Sequence, residues 1–240
     1  YLLTFFTIIL SFSLIFLCKK KNFLLNKSGD SHQEFSSQIT TPLIGGIIIL
    51  CSIFFFNLYN LNSFFIFISA IFIIGLLSDL KKMNSPTLRL TLQLFIIISA
   101  VYSSNIILIE TRLFFLDYLL NNQYFAILFT SFCILIIVNG TNFIDGINSL
   151  VIGYYIIISF VLLFLQHKGF TLSLNFSLSL LLMCLIVLYY LNLFNKLYLG
   201  DAGAYLLGFI FSIELINFYS QNIISPFFII LLLWYPAFEN

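Results

Sequence analysis

Nine long apolar runs are the feature that most restricts how this sequence can fold. They cover residues 1–18, 43–59, 61–77, 90–109, 123–138, 150–165, 174–191, 202–219 and 223–236. A helix that crosses a bilayer needs about 20 apolar residues, within a range of about 17–25. Only 8% of the residues are charged, whereas a soluble domain carries roughly 25% charge. The sequence therefore predicts an integral membrane protein and excludes a soluble enzyme and a nucleic-acid-binding protein.

The runs predict an all-α fold, a polytopic bundle of transmembrane helices with about nine spans. A membrane β-barrel would alternate polar and apolar residues along each strand, and these runs do not alternate. The first run lacks a basic start and a small-residue cleavage site, so it does not resemble a cleaved signal peptide. We interpret residues 1–240 as a single integral-membrane domain.

Basic residues predict the orientation of the bundle. The connections 19–42, 78–89, 139–149 and 192–201 fall on one side, and they carry eight basic residues, whereas the other connections carry only Arg112 and Lys168. The eight are Lys19, Lys20, Lys21, Lys27, Lys81, Lys82, Arg89 and Lys196. Since cytoplasmic loops are enriched in Lys and Arg, the start of the chain is predicted to lie outside and residue 240 in the cytoplasm.

Three acids are predicted to meet at the cytoplasmic face. Asp79, Asp145 and Asp201 lie at helix ends in three connections of the basic set. Carboxylates gathered in this way could bind a divalent cation, because Mg²⁺ takes one or two carboxylates together with substrate phosphates. The alternative is three solvated loop acids that only aid solubility.

The connection 139–149 contains no Lys or Arg, and its polar residues Asn139, Asn142 and Asp145 recur every third position. On a helical turn this spacing gathers them on one face. Amides can read a sugar or a base, and the carboxylate can bind metal or exchange a proton. An Asn-rich turn that caps two helices is the simpler alternative.

The other two acids have distinct surroundings. Asp201 is flanked by Gly200 and Gly203, which permit close backbone approach, and it lies where a helix begins. It could be a plain N-cap or a metal ligand beside a phosphate bound at the helix N-terminus. Asp79 lies near Lys81 and Arg89, cations that could bind phosphate and keep the acid ionised. Positive charge that serves orientation alone is the alternative.

These three segments, in this order, resemble one family, the polyprenyl-phosphate N-acetylhexosamine-1-phosphate transferases (glycosyltransferase family 4 type). The motifs are Gly200-Asp201-Ala-Gly203 and Asn142-x-x-Asp145-Gly146, specific when found together. The likeness runs from the Thr-Pro-Leu-Ile-Gly-Gly stretch at 41–46 to the Trp-Tyr-Pro-Ala-Phe-Glu stretch at 234–239. The family includes phospho-N-acetylmuramoyl-pentapeptide transferase and undecaprenyl-phosphate GlcNAc-1-phosphate transferase.

The resemblance implies transfer of a HexNAc-1-phosphate from a UDP-sugar to a polyprenyl phosphate, which releases UMP and begins a lipid-linked cell-envelope glycan. It implies a Mg²⁺ cofactor, for which Mn²⁺ could substitute, and an active site on the cytoplasmic face of the bacterial inner membrane. A homodimer is left open. By motif position, Asp201 is the implied metal ligand, and Asp79 and Asp145 are the implied catalytic acids. The residues assigned to substrate binding are Asn139, Asn142, Gly146, Asn148, Lys81 and Arg89.

The sequence departs from the family pattern at three places. Ser78 stands where the family usually has the first Asp of a pair, and Asn148-Ser149 replaces a frequent Asp-Gly. His32 precedes Pro42 by ten residues with no Lys just ahead of the Thr-Pro, which favours the GlcNAc-type branch. The chain starts at Tyr1 and ends before the family's His-x-His segment, so it is interpreted as a fragment.

Two rival functions remain open. A transporter would use charge inside the membrane, and Glu214 is the candidate, about 20 Å beyond Asp201 on the same helix. That spacing predicts an acid near the outer interface rather than in mid-bilayer. The other rival is a family member that has lost catalysis, which Ser78 and the missing His segment would explain.

Overall fold

The computed structural model describes residues 2–26, 40–56, 64–147, 149–172, 178–222 and 224–238. Within these ranges the chain forms ten helices and one short two-stranded ribbon. The helices are α1 (Leu2–Lys21), α2 (Gly45–Phe56), α3 (Phe64–Asp79), α4 (Pro86–Ser104), α5 (Phe114–Leu120), α6 (Gln123–Ile144), α7 (Leu150–His167), α8 (Leu178–Leu193), α9 (Gly200–Gln221) and α10 (Pro226–Phe238). The ribbon pairs β1 (Leu25–Asn26) with β2 (Thr41–Pro42) in antiparallel register.

The helices have the dimensions and composition of membrane helices. Four of them, α4, α6, α7 and α9, are long and apolar enough to cross a bilayer, and α2, α3, α8 and α10 are shorter apolar helices. The protein is therefore an integral membrane protein with a mainly helical fold. The number of nine spans and the orientation of the bundle stay predictions.

Helix α9 is the central helix of the bundle. It is buried along nearly its whole length, and α2, α3, α6, α7 and α10 all pack against it. A helix that is apolar on every side has no face to present to water, so its place is among other helices. Its first turn carries Asp201, which this packing fixes relative to the neighbouring helices.

Glycines let two helices approach the start of α9 backbone to backbone. A Cβ at Gly75 of α3 would lie 2.4 Å from the Ala202 Cα, and one at Gly46 of α2 would lie 2.5 Å from the Gly203 nitrogen. Small residues at such crossings are typical of helix packing in membranes, where van der Waals contact drives association. The end of α3, with Asp79, is thereby brought against the first turn of α9.

Most helices begin or end a few residues from the predicted runs, α5 was not predicted, and two of the differences bear on the site. Helix α6 continues to Ile144, six residues past the predicted end of its apolar run, so Asn139 and Asn142 are helical. Helix α4 starts at Pro86, with the Ser85 hydroxyl accepting the Leu88 N–H, which places Arg89 in its first turn. Pro is favoured at the first helical position, because it has no N–H to leave unpaired. Hydropathy alone missed both extensions, since the added turns are polar.

Candidate functional site

A pocket of about 420 Å³ opens at one end of the bundle, where α3, α6 and α8 end and α9 begins. Asp79, Asp145 and Asp201 all line it, so the three acids meet as the alternation of connections predicts. The complete lining is Leu43, Asp79, Asn142, Asp145, Gly146, Asn192, Tyr198, Leu199, Gly200 and Asp201.

Asp79 caps the N-terminus of α9. Its Oδ1 accepts the Asp201 N–H at 2.8 Å, and its Oδ2 accepts the Ala202 N–H at 3.0 Å. The first N–H groups of a helix have no partner within the helix, and a carboxylate there also complements the helix dipole. Asp201 is therefore not the cap of its own helix, so the plain N-cap alternative for it was wrong.

Asp145 follows directly after α6 and accepts a hydrogen bond from the Gly200 N–H. Burial raises the pKa of its carboxyl well above the ordinary range, and the nearby charges of Asp201 and Asp79 raise it further. Asp79 accepts the next two N–H groups, those of Asp201 and Ala202. The first N–H groups of α9 are therefore bound by the protein's own carboxylates. The phosphate site predicted at this helix N-terminus is thus filled by carboxylates.

Asp201 is bound to Ser78 and Arg89. Its Oδ2 accepts the Ser78 hydroxyl at 2.5 Å and Nη1 of Arg89 at 3.1 Å. Nη1 also donates to the Ser78 Oγ at 2.5 Å and lies 3.5 Å from the Tyr205 hydroxyl. Sequence reasoning assigned Arg89 to substrate phosphate, but the structure pairs it with the acid assigned to metal.

The amides of α6 join a second set of contacts. Asn139 Nδ2 donates to Oε1 of Gln93 at 3.0 Å, and Gln93 is fully buried on α4. Asn142 lines the pocket, and its Nδ2 lies 3.5 Å from the Tyr205 hydroxyl. Asn139 is one turn farther from the pocket, and the lining does not include it. The structure thus places Asn142 to meet a ligand and Asn139 to support α4.

Asn192 is a buried residue of the site that sequence reasoning did not select. Its Oδ1 accepts the N–H of Ser149 at 2.5 Å and the Ser149 hydroxyl at 3.0 Å. Its Nδ2 donates to the carbonyl of Leu197 at 3.1 Å. One side chain therefore ties the connection after Asp145 to the connection before Asp201. A polar residue at the end of an apolar run was the available signal.

Four other residues that the sequence analysis singled out have different outcomes. Gly146 lines the pocket, and a Cβ there would have no neighbour nearer than 3.9 Å. Lys81 is exposed at the end of α3 in a left-handed conformation, with φ of 56°, and it does not line the pocket. Asn148 and His32 lie outside the described residues.

The residues present fit a Mg²⁺ ion that receives part of its ligands from substrate. Among the described residues, no group of three or more His, Cys, Asp or Glu side chains could hold a metal ion alone. Mg²⁺ is commonly held by one or two carboxylates plus phosphate oxygens and waters. Asp201 meets this requirement, because only its Oδ2 has a described hydrogen bond and the residue lines the pocket.

Glu214 lies on α9, away from the pocket. Its side chain is buried, with 3% of its surface exposed, and its Oε2 has no hydrogen-bond partner in the described part of the chain. Other helices enclose the side chain of Glu214, and its predicted depth near the outer interface stays a prediction. A single buried acid does not form a pathway of the kind a transporter needs.

The residues of the site fall within a match to a known protein family. The model of the family described as glycosyl transferase family 4 matches residues 61–219, which include Asp79, Arg89, Asp145 and Asp201. No curated protein matches the chain.

Proposed function

Because the chain belongs to glycosyl transferase family 4, we propose that it transfers a HexNAc-1-phosphate from a UDP-sugar to undecaprenyl or another polyprenyl phosphate. An oxygen of the lipid phosphate forms a bond to the phosphorus that carries the sugar. The bond between that phosphorus and the bridging oxygen of the donor diphosphate breaks, and UMP leaves with the bridging oxygen. The product is a polyprenyl-diphospho-sugar, the start of a cell-envelope glycan.

The observation that carries the proposal is the meeting of three acids from three separate connections in one pocket at the end of a membrane bundle. A soluble nucleotide-sugar and a membrane lipid phosphate can meet only at such an end. Phosphoryl transfer needs charge stabilisation and in-line positioning more than covalent chemistry. Both substrates carry negatively charged phosphates, and a cation held beside these acids would neutralise the charge that develops during transfer.

The proposed roles follow from the contacts. Asp201, with Asn142 beside it at the pocket wall, would hold Mg²⁺, and the ion would neutralise charge on the donor phosphates. Asp145, whose raised pKa reflects burial, would deprotonate or orient the lipid phosphate once the cation offsets the neighbouring carboxylates. Asp79 positions the α9 N-terminus and faces the same pocket. Gly146, which lines the pocket, would contact the nucleotide-sugar, and Asn139 would support the site from α6. The contacts of Asn148 and Lys81 with the nucleotide-sugar stay predictions from the sequence.

The proposed test is direct transfer. Membranes that contain the full-length protein receive Mg²⁺, undecaprenyl phosphate and radiolabelled UDP-GlcNAc, and labelled lipid and UMP are measured. We expect both products from the wild type and from Asp117→Asn, and neither from Asp201→Asn or Asp145→Asn. Asp117 is a matched control, because its carboxylate binds Thr111 instead of the pocket. Full transfer by Asp201→Asn would rule out the metal assignment.

Other UDP-HexNAc donors in the same assay identify the sugar. Failure with every donor, by a protein that unfolds cooperatively, would favour a family member that binds but does not catalyse. The cytoplasmic face of the bacterial inner membrane is the proposed location of the site, because both UDP-sugars and the predicted basic connections are cytoplasmic.

A further inference from the structure

Three side chains from three helices form a closed triangle beside the pocket. Ser78 at the end of α3 donates to Asp201 Oδ2 on α9, and Arg89 on α4 donates to both Asp201 Oδ2 and Ser78 Oγ. We propose that Ser78 and Arg89 are positioning residues that hold the Asp201 carboxylate with Oδ1 turned to the pocket. The proposal rests on the proposed function only in what Asp201 binds there.

The direction of every hydrogen bond in the triangle is fixed by chemistry. A guanidinium has donors and no acceptor, so Ser78 Oγ must accept from Arg89. Its single proton is then free to point only at a carboxylate oxygen, which makes the 2.5 Å contact with Asp201 a donation by Ser78. Alanine at position 78 would remove both bonds, whereas threonine would retain both.

The triangle is partly shielded from water, so it can hold one orientation. The side chains of Arg89 and Asp201 are 22% and 31% exposed. Charge-assisted bonds are shorter and stronger than neutral ones, and two of them converge on the same oxygen. The carboxylate therefore cannot rotate to exchange its oxygens without breaking both, and Oδ1 stays available to a cation.

Ser78 also explains how Arg89 comes to bind Asp201. The Ser78 hydroxyl is neutral, so it does not form an ion pair with Arg89. The positive charge of the guanidinium therefore pairs with the Asp201 carboxylate. The described contacts of Arg89 with charged groups are therefore directed at Asp201, so we assign the arginine a role that acts through this acid. Groups that orient a metal ligand in this manner typically change metal affinity or activity about 10–100-fold when removed.

The test is Mn²⁺ binding to the purified full-length protein in lipid nanodiscs, measured by electron paramagnetic resonance with a fixed concentration of UDP that supplies phosphate oxygens to the ion. We expect Ser78→Ala to weaken Mn²⁺ binding by roughly tenfold or more. Ser78→Thr, which keeps the hydroxyl, should bind Mn²⁺ as the wild type does. The matched control is Ser69→Ala on the same helix, because the Ser69 hydroxyl donates only to the Phe65 carbonyl. Wild-type binding by Ser78→Ala, or no binding by the wild type, would overturn the proposal.

A double variant tests whether the two residues act on one oxygen. Arg89→Lys keeps the charge but replaces the planar fork with a point donor, so it should also weaken Mn²⁺ binding. Ser78→Ala with Arg89→Lys should lose less than the product of the two single losses, since residues in one network couple. Strictly multiplicative losses would contradict the triangle.

Kinetics separate this proposal from the proposed function. In Ser78→Ala we expect kcat at a fixed low Mg²⁺ concentration to fall about tenfold, with the KM for the lipid phosphate unchanged. If the wild type binds Mn²⁺ with the expected variant pattern but makes no labelled lipid, the proposed function fails and the positioning role stands. If transfer occurs and Ser78→Ala matches the wild type in binding and kcat, only the positioning role fails.

Discussion

The backbone N–H of Asp201 donates to the Asp79 carboxylate at 2.8 Å, so the two acids are linked through a helix cap. The next N–H, that of Ala202, donates to the other oxygen at 3.0 Å. Asp79 thus stabilises the start of α9, in addition to any role in catalysis. Loss of transfer in an Asp79 variant has two separable causes, a displaced α9 and a missing carboxylate in the pocket.

Asp79→Ala is expected to lower the free energy of unfolding by about 1–2 kcal/mol, the usual cost of removing a helix cap. Asp79→Asn should lose less of the free energy of unfolding, because its amide oxygen can still accept one of the two N–H groups. Thermal unfolding followed with a thiol-reactive dye measures both, since Cys18 and Cys184 are buried in the folded protein. Asp79→Ala that unfolds at the wild-type temperature would show that the cap contributes nothing.

Gly200 carries a second constraint at the same point. Its φ is 75°, and a Cβ would lie 2.8 Å from the Asp79 Oδ2. In Gly200→Ala, the left-handed backbone conformation should cost about 1–2 kcal/mol for a residue with a Cβ. The clash of that Cβ with the capping carboxylate should add to this cost, and the variant should not catalyse transfer. Gly169→Ala is the matched control, with φ of 97° and no atom within 4 Å of the added carbon. Equal destabilisation in the two variants would mean that the clash with Asp79 is relieved without cost.

The sequence predicts the membrane class because the length of each apolar run can be read directly from it. It predicts the meeting of the three acids because successive connections alternate between the two sides of the membrane. It does not predict which groups those acids touch. Ser78 and Asp201 are 123 positions apart, and the pairing depends on how closely Gly75 lets α3 approach α9. Lys81 and Arg89 look equivalent as sequence, yet one is exposed and the other is bound to Asp201. Helix packing, which single-residue patterns do not encode, decides between them.

Asn192→Ala is expected to destabilise the site by about 1–3 kcal/mol, the cost of leaving buried polar groups without partners. The variant orphans the N–H of Ser149 and the carbonyl of Leu197. Both connections at the pocket then lose their link, so transfer should fall more than stability alone explains. Lys196→Ala in the same connection is the control, because Lys196 is exposed and does not line the pocket. Measured kcat at a temperature where both variants are folded checks this, and equal kcat values would contradict a role in the site.

Gly140 tests the packing of α10 against the site helix. A Cβ at Gly140 would lie 1.7 Å from the Pro236 carbonyl oxygen, so Gly140→Ala must push α10 away from α6. Backbone cannot yield as a flexible side chain does, and forcing a methyl group into such a contact typically costs about 1–3 kcal/mol. Gly146→Ala, where the nearest atom is 3.9 Å away, is the control for stability. Thermal unfolding should show a clear loss for Gly140→Ala and little change for Gly146→Ala. Similar unfolding temperatures for the two would mean that α10 does not pack at Gly140 in the membrane.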